Sequence, residues 1–115
     1  MDFFEKTEYS IDDLTALINN EAEESVHLDF KAAGSLSKDD KKKAEIAKDV
    51  SAFANSDGGI IVYGIEEQEH KAHALSYIDG NTYTKEWLEQ VIQDNIERRI
   101  EGLKIFPIRD NGDIT

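Results

Sequence analysis

The chain has no cysteine, a single proline and a single tryptophan among its 115 residues. Without cysteine there is neither a disulfide nor a thiolate metal site, which agrees with a reducing compartment. A cytoplasmic location is therefore expected by default. No apolar run is long enough to span a bilayer, so no membrane partner is expected. The opening Met1-Asp2-Phe3-Phe4-Glu5 lacks the basic and then apolar order of a signal peptide. Positive charge is scarce too: 13 Lys and Arg stand against 25 Asp and Glu, for a net charge of -12. Proteins that hold a phosphate backbone through counterion release usually present a basic face, whereas this chain on average repels polyanions. A nucleic-acid role must then use a local basic patch, a divalent metal or another part of a longer protein. One such patch is present: Lys31, Lys38, Lys41, Lys42, Lys43 and Lys48, interrupted by Asp39, Asp40 and Glu45.

What is present suits a folded domain. Apolar residues at 39% and charged residues at 33% match a globular composition, and the length allows one core but not two. Ser10 can cap a helix carrying Ile11, Leu14, Leu17 and Ile18, ended by Asn19-Asn20. Ser25 to Lys31 alternates, with Val26, Leu28 and Phe30 on one face and Ser25, His27, Asp29 and Lys31 on the other, the pattern of a half-buried strand. After a turn at Gly34-Ser35-Leu36-Ser37, Ser37 is expected to cap a helix to about Ala54. Its core stripe would be Ala44, Ala47, Val50 and Ala54 with Ile46 and Phe53. Asn55-Ser56-Asp57-Gly58-Gly59 stops it, and Ile60 to Ile65 reads as a strand buried on both faces. Glu66 to Lys71 reads as a charged loop, Ala72 to Ile78 as a weaker strand, and Asp79-Gly80-Asn81 as a turn. Thr84 can cap a helix through Trp87, Leu88, Val91, Ile92, Ile96 and Ile100, with Trp87 in the core. Leu103 to Ile108 reads as a strand and Asp110-Asn111-Gly112-Asp113 as a hairpin turn. The chain stops where the partner strand should begin, so residues 1–115 are expected to form a single domain at the N-terminal end of a longer protein.

One stretch can carry chemistry. Asp29 and Lys31 are two apart on a strand and share a face. A carboxylate there can hold Mg²⁺ or Mn²⁺ through hard oxygen ligands, while the ammonium orients water or offsets charge developing on a phosphate. Glu24 lies at the strand entry, and a third carboxylate is available in Glu66 or Glu67. In so acidic a chain, carboxylates also fall near one another by chance, so an ordinary solvated strand face competes with this reading. His27, His70 and His73 have no metal-ligand spacing on one element, and the Asn55 to Gly59 turn follows a helix rather than preceding one, unlike a phosphate loop.

Together, "EESVHLDFK", "EIAKDVSAFANSDGGIIVYGIEE" and the amphipathic helix beyond resemble the Schlafen AlbA-like domain family of the bacterial type. Leu28-Asp29-Phe30-Lys31 matches its strand motif, with aspartate where glutamate is usual. Ala52-Phe53-Ala54-Asn55 with Gly58-Gly59 matches its helix stop, and Tyr63-Gly64-Ile65-Glu66-Glu67 the strand after it. The resemblance implies an α/β (α+β) fold, a mixed β-sheet packed by helices, in a nucleic-acid-binding module of regulatory or defence-type proteins. Bacterial members often precede ATPase-like or winged-helix regions. Schlafen-type relatives cleave structured RNA with three carboxylates, which fall here on Glu24, Asp29 and Glu67, with Glu66 as the alternate for the last.

Three readings follow. The first is a DNA- or RNA-binding module that contacts phosphates through Lys31, Lys38, Lys41, Lys42, Lys43 and Lys48, with no cofactor. The second is a Mg²⁺- or Mn²⁺-dependent nuclease using Glu24, Asp29 and Glu67 as metal ligands and Lys31 as electrostatic helper. The third is an acidic protein-interaction or homo-oligomerisation module.

Overall fold

The computed structural model describes Lys6, residues 8–96, Ile100 and residues 102–109. Helix α1 spans Ile11–Asn19, strand β1 Leu28–Lys31, helix α2 Asp40–Ala54 and strand β2 Ile60–Tyr63. Strands β3, Ile65–Gln68, and β4, Lys71–Leu75, precede helix α3, Lys85–Asn95. Strand β1 pairs in parallel with β2, while β3 and β4 form an antiparallel hairpin. The α+β class expected from the resemblance is therefore present, with the two kinds of pairing in separate two-stranded sheets. No helix is long and apolar enough to cross a membrane.

The unit that positions the site is β1–α2–β2. Leu28 and Phe30 face one way from β1 and, with Val62 of β2, close a core with Leu14 of α1, Ile65 and Ala72. A second core of Leu36, Ile46, Ile78, Val91 and Ile92 lies between α2 and α3, with Val50, Tyr63 and Trp87 packed against it. Trp87 is thus a core residue, as its helical spacing predicts. Gly59 allows the turn from α2 into β2 to pass close to β1: a Cβ there would sit 2.7 Å from the His27 carbonyl oxygen. At that crossing His27 Nδ1 lies 2.9 Å from the Gly58 carbonyl, and the Ile60 N–H donates to the His27 carbonyl at 2.9 Å.

Several sequence expectations are corrected. The first strand begins only at Leu28, because Ser25 and Leu28 bond to each other across a tight turn, and Val26 is 74% exposed rather than buried. Asp39, not Ser37, caps α2 by accepting from the Lys41 N–H at 3.1 Å; Ser37 acts one step earlier, accepting from the Asp39 N–H. Ala44 and Ala54 are exposed, since Ile46, Ala47 and Val50 occupy the side of α2 that faces the core. The apolar run 60–65 is broken at Gly64, whose φ of +119° turns the chain out of β2 and into β3. Its N–H donates to the Lys31 carbonyl and its carbonyl accepts from the Ser76 N–H, both at 2.7 Å, so Gly64 ties the two sheets together.

The supposed charged loop 66–71 is instead most of a hairpin, closed by Glu69 and His70 at φ values of +52° and +66°. The strand expected at 72–78 is β4, ending at Leu75. Helix α3 ends at Asn95, short of Ile100. Residues 103–108 form no strand among the described residues, and the turn expected at 110–113 lies outside them.

Candidate metal and nucleic-acid site

Strand alternation puts Asp29 and Lys31 on the face of β1 opposite Leu28 and Phe30, with Lys31 level with Tyr63 of β2. Helix α2 packs over that face and delivers Asp49. The Lys31 ammonium lies 3.4 Å from Asp29 Oδ2 and 3.7 Å from Asp49 Oδ2, all three side chains being part-buried. Burial alone would lower the Lys31 pKa, but the charges of Asp29 and Asp49 outweigh it and the net shift is upward.

On the other side of Asp29 stands Glu24. The segment before β1 runs alongside the start of β4, where Glu23 bridges to Lys71 and the Glu24 N–H donates to the His70 carbonyl at 2.7 Å. The Glu24 side chain is only 18% exposed. Its Oε2 accepts from the Phe30 N–H at 3.0 Å, and its Oε1 lies 3.3 Å from His70 Nδ1. Burial first, and the neighbouring Asp29 second, raise its pKa above the ordinary value, against the opposing effects of the Phe30 and His70 contacts. Across the hairpin turn, Glu67 Oε2 accepts from the His70 N–H at 2.8 Å. Glu24, Glu67 and His70 each offer one ligand atom, and these atoms lie within 4.8 Å of one another.

The structure therefore joins Glu24 to Glu67 directly and sets Asp29 beside Glu24, but the tight group takes His70 as its third member rather than Asp29. Aspartate is one methylene shorter than glutamate, and Asp29 is already engaged by Lys31. Glu66, the alternate, is not in the group. His73 is exposed on β4 and also stands outside it. Sequence reasoning missed His70 and Asp49. The His70–Glu24 contact requires a hairpin where a loop was expected, and Asp49 is placed by the packing of α2 over β1.

The remaining lysines spread around α2. Lys38, Lys41 and Lys48 are exposed, and the last two share one side of the helix, two turns apart. Lys42 lies two turns before Asp49 and so on that residue's side. Lys43 turns toward α3, where it lines a small concavity with Asp40, Trp87, Gln90 and Asp94. A larger concavity lies elsewhere, an open trough of about 1360 Å³ bordered by α2, β2, α3 and residues 102–108; Glu24, Asp29, Glu67 and His70 do not line it.

A family model described as Schlafen, AlbA_2 matches residues 24–113, a span that includes every residue of this cluster. No curated protein and no solved structure matches the chain. The match covers well over half of the chain and begins at Glu24 itself: the chain belongs to the Schlafen AlbA_2 family, a family of nucleic-acid-related domains.

Proposed function

We propose that this domain binds nucleic acid and hydrolyses its phosphodiester backbone with a divalent cation, Mg²⁺ or Mn²⁺, held by Glu24, Asp29 and Glu67. The observation that carries the reading is the meeting of Glu24 with its near neighbour Asp29 and with Glu67 of the distant strand β3. Glu24 and Asp29, both part-buried, repel one another, and a cation shared with the exposed Glu67 offsets that cost. The donors are mainly hard oxygens, the chemistry that Mg²⁺ and Mn²⁺ favour. A bound divalent cation would polarise a phosphoryl oxygen and lower the pKa of a coordinated water.

The protein's own groups prepare the rest. The Phe30 and His70 N–H groups fix the carboxylates of Glu24 and Glu67. Lys31, held between Asp29 and Asp49, is an ammonium placed to stabilise negative charge developing on a phosphate beside Asp29. Exposed Lys38, Lys41 and Lys48 supply phosphate contacts outside the cluster. A cleavage and gel-shift assay on tRNA, single-stranded DNA and duplex DNA, with and without each metal, tests the reading. Metal-dependent cleavage of at least one of them is expected, and binding without cleavage under every condition would remove the catalytic half.

A second reading, binding without hydrolysis, is favoured by one observation: the Lys31 ammonium, 3.4 Å from Asp29 Oδ2, itself offsets the charge of Asp29. On that reading the lysines alone hold the nucleic acid, and complexes form equally well in a chelator.

A further inference from the structure

The hairpin turn brings into the carboxylate cluster a nitrogen donor that the three-carboxylate reading does not use. His70 engages both glutamates through three separate groups. Its N–H donates to Glu67 Oε2 at 2.8 Å, its carbonyl accepts from the Glu24 N–H at 2.7 Å, and its Nδ1 lies 3.3 Å from Glu24 Oε1. The two backbone contacts hold the residue in place although its ring is 85% exposed. The imidazole lies beside the two carboxylates, with one ligand atom from each of the three residues within 4.8 Å of the others.

We infer that His70 is a direct metal ligand and sets the ion preference of the site, selecting Mn²⁺ over Mg²⁺. The inference rests on the proposed metal reading and deepens it. Mg²⁺ demands oxygen ligands in near-ideal octahedral geometry and gains little from an imidazole. First-row transition ions accept nitrogen readily, with affinities rising along the Irving–Williams order from Mn²⁺. A site that adds one histidine to its carboxylate ligands thus separates the two ions through its one nitrogen.

The test uses the full chain and Mn²⁺ itself, read by electron paramagnetic resonance rather than by cleavage. Titration of the free-Mn²⁺ signal, alone and in competition with Mg²⁺, gives both affinities, and pulsed measurements on the bound ion report coupling to ¹⁴N. The wild-type chain is expected to bind Mn²⁺ more tightly than Mg²⁺ and to show nitrogen coupling. His70→Ala should weaken Mn²⁺ binding by at least about tenfold, since losing even a group that only supports a ligand costs about 10–100-fold, and leave Mg²⁺ binding within about twofold. His70→Asn, comfortable in the left-handed backbone of the turn, should lose the nitrogen coupling while the fold is kept. Nitrogen coupling that survives in both variants, or equal weakening of both ions, would overturn the role of His70 and leave the carboxylate site standing. Failure of the wild-type chain to bind either ion would overturn both.

Discussion

Glu24→Gln and Glu24→Ala separate what this residue does for the fold from what it is proposed to do for a metal. Glutamine keeps an oxygen to accept from the Phe30 N–H, 3.0 Å away, but removes the negative charge beside Asp29. Because the pKa of Glu24 is raised in the folded state, its protonation favours folding. That contribution is fully present below the unfolded value near 4.5 and is lost as pH rises through the raised folded value. At neutral pH the ionised side chain is therefore a net cost, and glutamine should melt at or above the wild-type temperature in metal-free buffer. Alanine instead leaves the Phe30 N–H without its acceptor beside the first core, a loss of about 1–3 kcal/mol. For a domain of this length that lowers Tm by roughly 4–12 °C. Thermal denaturation followed by circular dichroism, near neutrality and again below pH 4.5, reads all three chains. The difference between glutamine and wild type should close at the acid end, where Glu24 is protonated in both states. A glutamine variant as unstable as alanine near neutrality would refute the reasoning, since the charge would then be an anchor rather than a strain.

Gly59→Ala would place a Cβ 2.7 Å from the His27 carbonyl oxygen and 2.9 Å from its Cα, backbone atoms that cannot turn aside. A loss of about 1–3 kcal/mol is expected in urea denaturation, and an unchanged midpoint would contradict the close approach of β1 and β2. The Tyr63 hydroxyl is buried with no hydrogen-bond partner among the described residues, so Tyr63→Phe should leave stability unchanged or raise it. A clear loss in thermal melting would reveal a partner. Lys41→Glu combined with Lys43→Glu should weaken nucleic-acid binding in gel shifts and flatten its dependence on salt, and no change in either would remove α2 from the interface.

The parts of the fold legible in the sequence are those written in hydrophobic spacing. Leu28 and Phe30 against Asp29 and Lys31, the apolar side of α2, and Trp87 with Val91 and Ile92 on α3 all read directly as faces. The β3–β4 hairpin did not, because Glu66, Glu67 and Gln68 are exposed and carry no apolar alternation; backbone pairing to Lys71–Leu75 makes that strand. Its turn is equally silent, since Glu69 and His70 take left-handed conformations without the glycine or asparagine that usually marks them. The site divides the same way. Asp29 and Lys31 share a face by strand geometry alone, while the pattern left Glu24 to meet either Glu66 or Glu67 and the family resemblance narrowed that choice to Glu67. His70 and Asp49 enter through tertiary packing, which no local pattern encodes.

The most direct test of the central claim is cleavage of tRNA, single-stranded DNA and duplex DNA by the wild-type chain, Asp29→Asn and Glu67→Gln, each with Mn²⁺, with Mg²⁺ and in chelator. The account predicts cleavage by the wild type that requires a divalent cation and disappears in both variants while their circular dichroism spectra stay native. Cleavage that persists in chelator, or in either folded variant, would contradict it.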